Sequence, residues 1–131
     1  MSRDAVSVLG STGSIGKNTL DVIARNRDRF RVHALTAHRN VDVLAAQCAQ
    51  FDAGLAVIAD VSLETDLARA LKQAGARAEV MSGESGLLEA AGGSQTDVVM
   101  AAIVGAAGLG STFEAARRGK KILLANKESL V

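Results

Sequence analysis

The stretch VSVLGSTGSIG, residues 6–16, sets Gly10, Gly13 and Gly16 three apart, directly behind a short apolar run. Glycine loses more backbone freedom on ordering than any other residue, so glycines this dense at a strand's end mark a place where backbone must approach a partner closely. A strand, a glycine-rich turn and a helix in that order is a site for phosphate: the glycines admit a pyrophosphate, and the helix start offers free N–H groups and a positive dipole end. Thr12 and Ser14 add hydroxyl donors where such an anion would sit. The spacing is G-x-x-G-x-x-G rather than the commoner G-x-G-x-x-G. A tight turn that only lets helix and strand pack would also use it, and the position between strand and helix is what favours phosphate.

A second set of residues bears on which nucleotide would bind. In dinucleotide folds an acidic residue roughly 20 positions past the glycines holds the ribose 2′-hydroxyl of NAD. Counting on from Gly16 lands near Thr36, where the chain reads Thr36-Ala37-His38-Arg39-Asn40, with no carboxylate before Asp42. Arg39 instead offers the planar fork that suits a 2′-phosphate, with His38 as a second donor, which predicts NADP(H) over NAD(H). The plainer alternative is a solvated arginine beside a helix-capping asparagine. Further on, MAAIVGAAGLG places the small or apolar Ala102, Ile103 and Gly105 behind a buried strand. They would lie along a ribose or nicotinamide face, or simply make a turn before a helix. LLANKES puts Asn126, Lys127 and Glu128 at the mouth of the same sheet edge, where a solvated Lys–Glu pair is the competing reading. Arg25, Arg27, Arg29 and Arg31 read as a solvated basic face around a helix end, partly neutralised by Asp28. His33 reads as an ordinary strand residue. No catalytic or metal-ligating residue is assigned: no His/Cys/Asp set has ligand spacing, and no Ser–His–Asp arrangement can be assembled.

Placing these residues together is the task of the elements. Short β-branched runs alternate with longer helical patterns, the sequence form of a parallel α/β sheet. Strands are expected at Ala5–Leu9, Phe30–Thr36, Leu55–Ala59, Ala78–Met81 and Asp97–Ala102, with a last one in KKILL. Helices are expected at Ile15–Arg25, with an apolar stripe of Ile15, Thr19, Leu20, Val22 and Ile23, and at Val41–Gln50 behind an Asn40 N-cap. A third is expected behind Ser62 as cap, with Leu63, Leu67 and Leu71 on one face and Gly75 as its stop. Two more are expected, running up to Ala91 and over Ser111–Arg118. The fold class is therefore α/β: a Rossmann-like, doubly wound, mostly parallel sheet with helices on both faces.

Bulk properties narrow the setting. At 131 residues, 1–131 reads as one dinucleotide-binding domain. A net charge of +1 gives no pull toward nucleic acid or anionic lipid, and the absence of Tyr and Trp removes the usual base-stacking platforms. No apolar run approaches the roughly 20 residues that span a bilayer, and the start lacks a signal peptide's apolar region. The lone Cys48 excludes an internal disulfide and reads as helix-face packing in a reducing cytoplasm.

LGSTGSIGKNTLDV, FRVHALTAHRNV, VVMAAIVGAAGL and GKKILLANKESLV together closely resemble the amino-terminal domain of the 1-deoxy-D-xylulose-5-phosphate reductoisomerase family, over about Val6 to Val131. The resemblance implies an NADPH-dependent enzyme of non-mevalonate isoprenoid biosynthesis. Its reaction rearranges and reduces the phosphosugar to 2-C-methyl-D-erythritol 4-phosphate with magnesium or manganese, and the full-length protein is a homodimer. Residue by residue, it implies that Thr12, Gly13, Ser14 and Ile15 contact pyrophosphate and that Arg39 and Asn40 contact the 2′-phosphate and ribose. It places Asn126 and Glu128 near the nicotinamide and Lys127 on substrate. Where the family often has Gly-Lys-Asn, this chain has His38-Arg39-Asn40, keeping the cation and losing the glycine. The family's metal-binding Asp and Glu, substrate site and flap follow NKESLV, so the expectation is a chain that binds NADPH without turnover. Two alternatives stand beside it: a stand-alone NADP(H) sensor module, and another NADP-dependent reductase of homoserine-dehydrogenase type.

Overall fold

The computed structural model describes residues 3–101, 119 and 121–124. Its strands are β1 (Asp4–Leu9), β2 (Phe30–Ala37), β3 (Leu55–Ile58), β4 (Glu79–Ser82), β5 (Val98–Ala101) and β6 (Lys121–Leu124). They form one sheet in the order β4-β3-β2-β1-β5-β6, every pairing parallel. Parallel neighbours need crossovers, and here these are α1 (Ser14–Ala24), α2 (Val41–Phe51), α3 (Glu64–Ala74) and α4 (Gly83–Gly92). The chain winds outward from β1 to β4, then returns through α4 to β5 on the far side of β1. That reversal creates a switch point between β1 and β5, beyond whose carboxyl ends open α/β sheets bind ligands.

Both faces of the sheet are covered. Val6, Val8, Leu35 and Ile58 pack under Leu20 and Ile23 of α1, Leu44 and Cys48 of α2, and Leu67 and Leu71 of α3. Leu9, Ala34, Val57 and Val99 pack on the other face against Ala90 and Ala91 of α4. Strand alternation explains the division, since neighbours along a strand point to opposite faces. The register of β2 slips where Val6 pairs with Val32 but Ser7 with Ala34, leaving His33 as an extra residue. A bulge of one residue reverses the side-chain phase, so Val32 and Leu35, three apart, face the same core.

The observed elements match the expected ones to within a residue or two at most ends, with two corrections. The buried face of α1 is Gly16, Leu20 and Ile23, while Val22 is 54% exposed. Positions at i, i+4 and i+7 make the inner stripe, and Val22 lies beyond its edge. Ser62 does not cap the third helix. Asp60 instead accepts from the Ser62 N–H and opens a 3-10 turn, Val61–Leu63, from which α3 continues to its stop at Gly75. Within the basic cluster, Arg25 pairs with Asp21 at 2.7 Å. Cys48 is buried on α2, where desolvation pushes its thiol up to about 12. The expected helix over 111–118 lies outside the described residues. No helix among the described residues is long and apolar enough to cross a membrane.

Candidate functional site: a dinucleotide cleft

Behind β1 the chain turns at Gly10, whose φ of 82° suits glycine alone without strain. Two N–H groups of the turn are spent inside the protein: those of Gly10 and Ser11 both donate to the Thr36 carbonyl, at 3.1 and 2.8 Å. The Gly10 N–H also reaches the Thr36 hydroxyl at 3.0 Å. From Thr12 onward the pattern changes. The N–H groups of Thr12, Gly13, Ser14, Ile15 and Gly16 have no acceptor among the described residues, and the first to find one is Lys17, which donates to the Gly13 carbonyl at 2.9 Å. Gly13 caps α1 without a side-chain hydrogen bond, and the first turn carries no acidic residue. A helix start with neither cap nor carboxylate keeps its positive end uncompensated, which is what an anion needs.

Gly16 makes this geometry possible. A Cβ there would lie 2.6 Å from Ser11 Cα and 2.7 Å from its carbonyl carbon, so α1 can approach the loop only because the side chain is absent. Ser11 is itself fully buried. Its hydroxyl donates to Gln47 Oε1 at 2.7 Å, and Gln47 Nε2 donates to the Ser11 carbonyl at 3.0 Å.

The second cluster ends β2, the strand hydrogen-bonded beside β1, so the turn holding Arg39 and the glycine turn open at the same sheet edge. Arg39 and His38 are exposed. Arg39 Nε pairs with Asp60 at 3.3 Å, leaving its terminal nitrogens for an anion. Asn40 caps α2 by accepting from the Val43 N–H at 3.2 Å, which commits its oxygen and leaves its NH₂. Asp60 accepts from the Ser62 hydroxyl at 2.6 Å and its N–H at 3.0 Å. These hydrogen bonds, with Arg39 and His38 nearby, hold its carboxyl below the usual range. The sequence count found no carboxylate near Arg39, whereas the fold brings Asp60 across from the end of β3. Arg39 and Asn40 also border an open groove of about 390 Å³ between α2 and α3. Asp42 and Asp66 in its walls offset Arg39 and Arg69, so the groove presents no net positive charge.

The structure thus brings Thr12, Gly13, Ser14 and Ile15 to one edge with Arg39 and Asn40. Ala102, Ile103, Gly105, Asn126, Lys127 and Glu128 lie outside the described residues. Among the described residues no three of His, Cys, Asp and Glu gather as metal ligands. Sequence reasoning missed Ser11, Thr36, Gln47 and Asp60. Only Gln47 carried a local signal, a polar residue inside the buried Leu44, Ala45, Cys48, Phe51 stripe of α2.

Fold and cleft define the class: a doubly wound α/β domain with a glycine-rich turn at its switch point. The family described as 1-deoxy-D-xylulose 5-phosphate reductoisomerase matches residues 6–131, and the chain belongs to that family. It is 54% identical over 126 residues to the reductoisomerase of Cupriavidus pinatubonensis and 55% to that of Laribacter hongkongensis, each covering 96% of this chain and 32% of the relative. The chain therefore spans about a third of the length of these relatives. It superposes with a TM-score of 0.88 and 53% identity on the Zymomonas mobilis reductoisomerase solved with NADPH, covering 98% of this chain and 33% of that one. A reductoisomerase solved with NADPH, fosmidomycin and magnesium gives 0.89 and 44%, covering 97% and 31%.

Proposed function

We propose that this chain is the NADPH-binding domain of a 1-deoxy-D-xylulose 5-phosphate reductoisomerase. The observation that carries the reading is the divided loop: Gly10 and Ser11 donate inward while five successive N–H groups from Thr12 to Gly16 have no acceptor among the described residues. Those amides bind the pyrophosphate, with the Thr12 and Ser14 hydroxyls beside them. Arg39 binds the 2′-phosphate, and the Asn40 NH₂ reaches the ribose. When bound, NADPH supplies a hydride. In the whole protein Asn126 and Glu128 border the nicotinamide and Lys127 meets the phosphosugar, which is converted to 2-C-methyl-D-erythritol 4-phosphate. Magnesium, present in a solved relative, is assigned to no residue of this chain. The family likeness and the inert, buried Cys48 favour a cytoplasmic homodimer acting on small molecules, apart from nucleic acid and membrane.

The test is a calorimetric titration of NADPH and NADH into the 131-residue chain and its Arg39→Ala variant. Losing the guanidinium–phosphate contact costs about 1.5–3 kcal/mol of NADPH binding and leaves NADH nearly unchanged. Equal losses for both cofactors would move the 2′-phosphate contact elsewhere. No binding of either would remove the cofactor reading.

A further inference from the structure

We infer that Gln47 is a positioning residue for the phosphate-binding loop, aiming its first free N–H from the neighbouring helix. The inference rests on the cofactor reading above. Gln47 is 8% exposed in an otherwise apolar face of α2, and both ends of its amide are spent on one residue, Ser11. The Ser11 carbonyl and the Thr12 N–H belong to a single planar peptide unit with partial double-bond character. Holding that carbonyl at 3.0 Å from Gln47 Nε2 therefore fixes the opposite direction of the Thr12 N–H, the first of the five that have no acceptor among the described residues. The preceding peptide is held independently, through the Ser11 N–H on Thr36. Gln47 thus controls the point where the loop passes from inward-donating to outward-donating.

It also couples the two grips on the cofactor. α2 begins one residue after Asn40, and Gln47 sits two turns, about 10 Å, along it. The helix whose head carries the 2′-phosphate turn is thereby hydrogen-bonded to the loop that takes the pyrophosphate. The pyrophosphate is common to NADPH and NADH, so a fault in this link has a different signature from a fault at Arg39.

The experiment titrates NADPH and NADH into the 131-residue chain and into Gln47→Met, Ser11→Ala, the double variant and Leu67→Ala, with thermal unfolding of each. Methionine keeps the length of glutamine and removes both polar atoms. Gln47→Met weakens both cofactors by about tenfold, with their ratio unchanged. Ser11→Ala, which keeps the carbonyl bond, weakens both by about threefold, and the double variant is no weaker than Gln47→Met. Leu67→Ala, a cavity in the core under α3, lowers the melting temperature without changing either affinity. Wild-type affinity in a folded Gln47→Met, or losses that multiply in the double variant, would overturn the inference. If Gln47→Met does not fold, Ser11→Ala decides by itself, and unchanged affinity there is equally fatal. A wild-type chain that binds neither cofactor ends the underlying reading instead, which separates the two failures.

Discussion

At Gly16 the loop has no room for one methyl group, because the atoms it would meet are backbone atoms of Ser11 and Gly10 that are themselves tied to β2. Overpacked cores typically lose about 1–3 kcal/mol, and neighbours that cannot yield put Gly16→Ala at or above the upper figure. The expected outcome is a melting temperature lowered by several degrees together with loss of NADPH binding, read by calorimetry and titration on one sample. Gly13 is the control for melting temperature alone: its nearest neighbour is the Gly10 carbonyl at 3.9 Å, so a methyl group fits the loop there. Arg39 shows why charge near a site must be counted in space as well as along the chain. Its partner Asp60 arrives from 21 positions away, and stays ionised because Ser62 donates to it twice.

Among the elements, β2 has the most unusual geometry. His33, the extra residue of its bulge, is half-buried, and its pKa is lowered first by that burial and then by Arg31, with Glu89 opposing. A depressed histidine favours its neutral form in the folded state. The stability it contributes is present above the ordinary value of 6.5 and is lost as pH falls from there through the folded value. The drop in melting temperature between pH 7.5 and pH 5 is therefore expected to be smaller in His33→Gln than in the wild type. An unchanged drop would assign the acid sensitivity to other groups. Much at this scale was legible in the sequence, because alternation, caps and glycine stops are local. Asn40 and Gly75 behave as read. The bulge was not legible, since a run such as Val32-His33-Ala34-Leu35 has acceptable residues on either face and only pairing with β1 sets the phase. The cap at α3 went wrong for a similar reason, because Asp60 and Ser62 are both good caps and the tertiary path chose between them.

For the whole molecule, the fold class and the two edge clusters could be read from the chain because glycine spacing and a cation at a strand's end are short-range signals. Gln47 and Thr36 could not be assigned their roles, since these exist only once α2 and β2 lie against the loop. One consequence belongs to the order of strands. β1 is synthesised first and lies at the middle of the sheet, yet one of its two neighbours, β5, starts only at Val98, and Ala5 waits for the Asp97 carboxylate 92 residues later. Until then the ribosome holds a chain whose central strand offers an open ladder of unpaired amides and carbonyls on one edge. A version ending after residue 75 is thus expected to self-associate, visible as light scattering that the 131-residue chain lacks. The return through α4 closes the architecture and also ends the nascent chain's hazard.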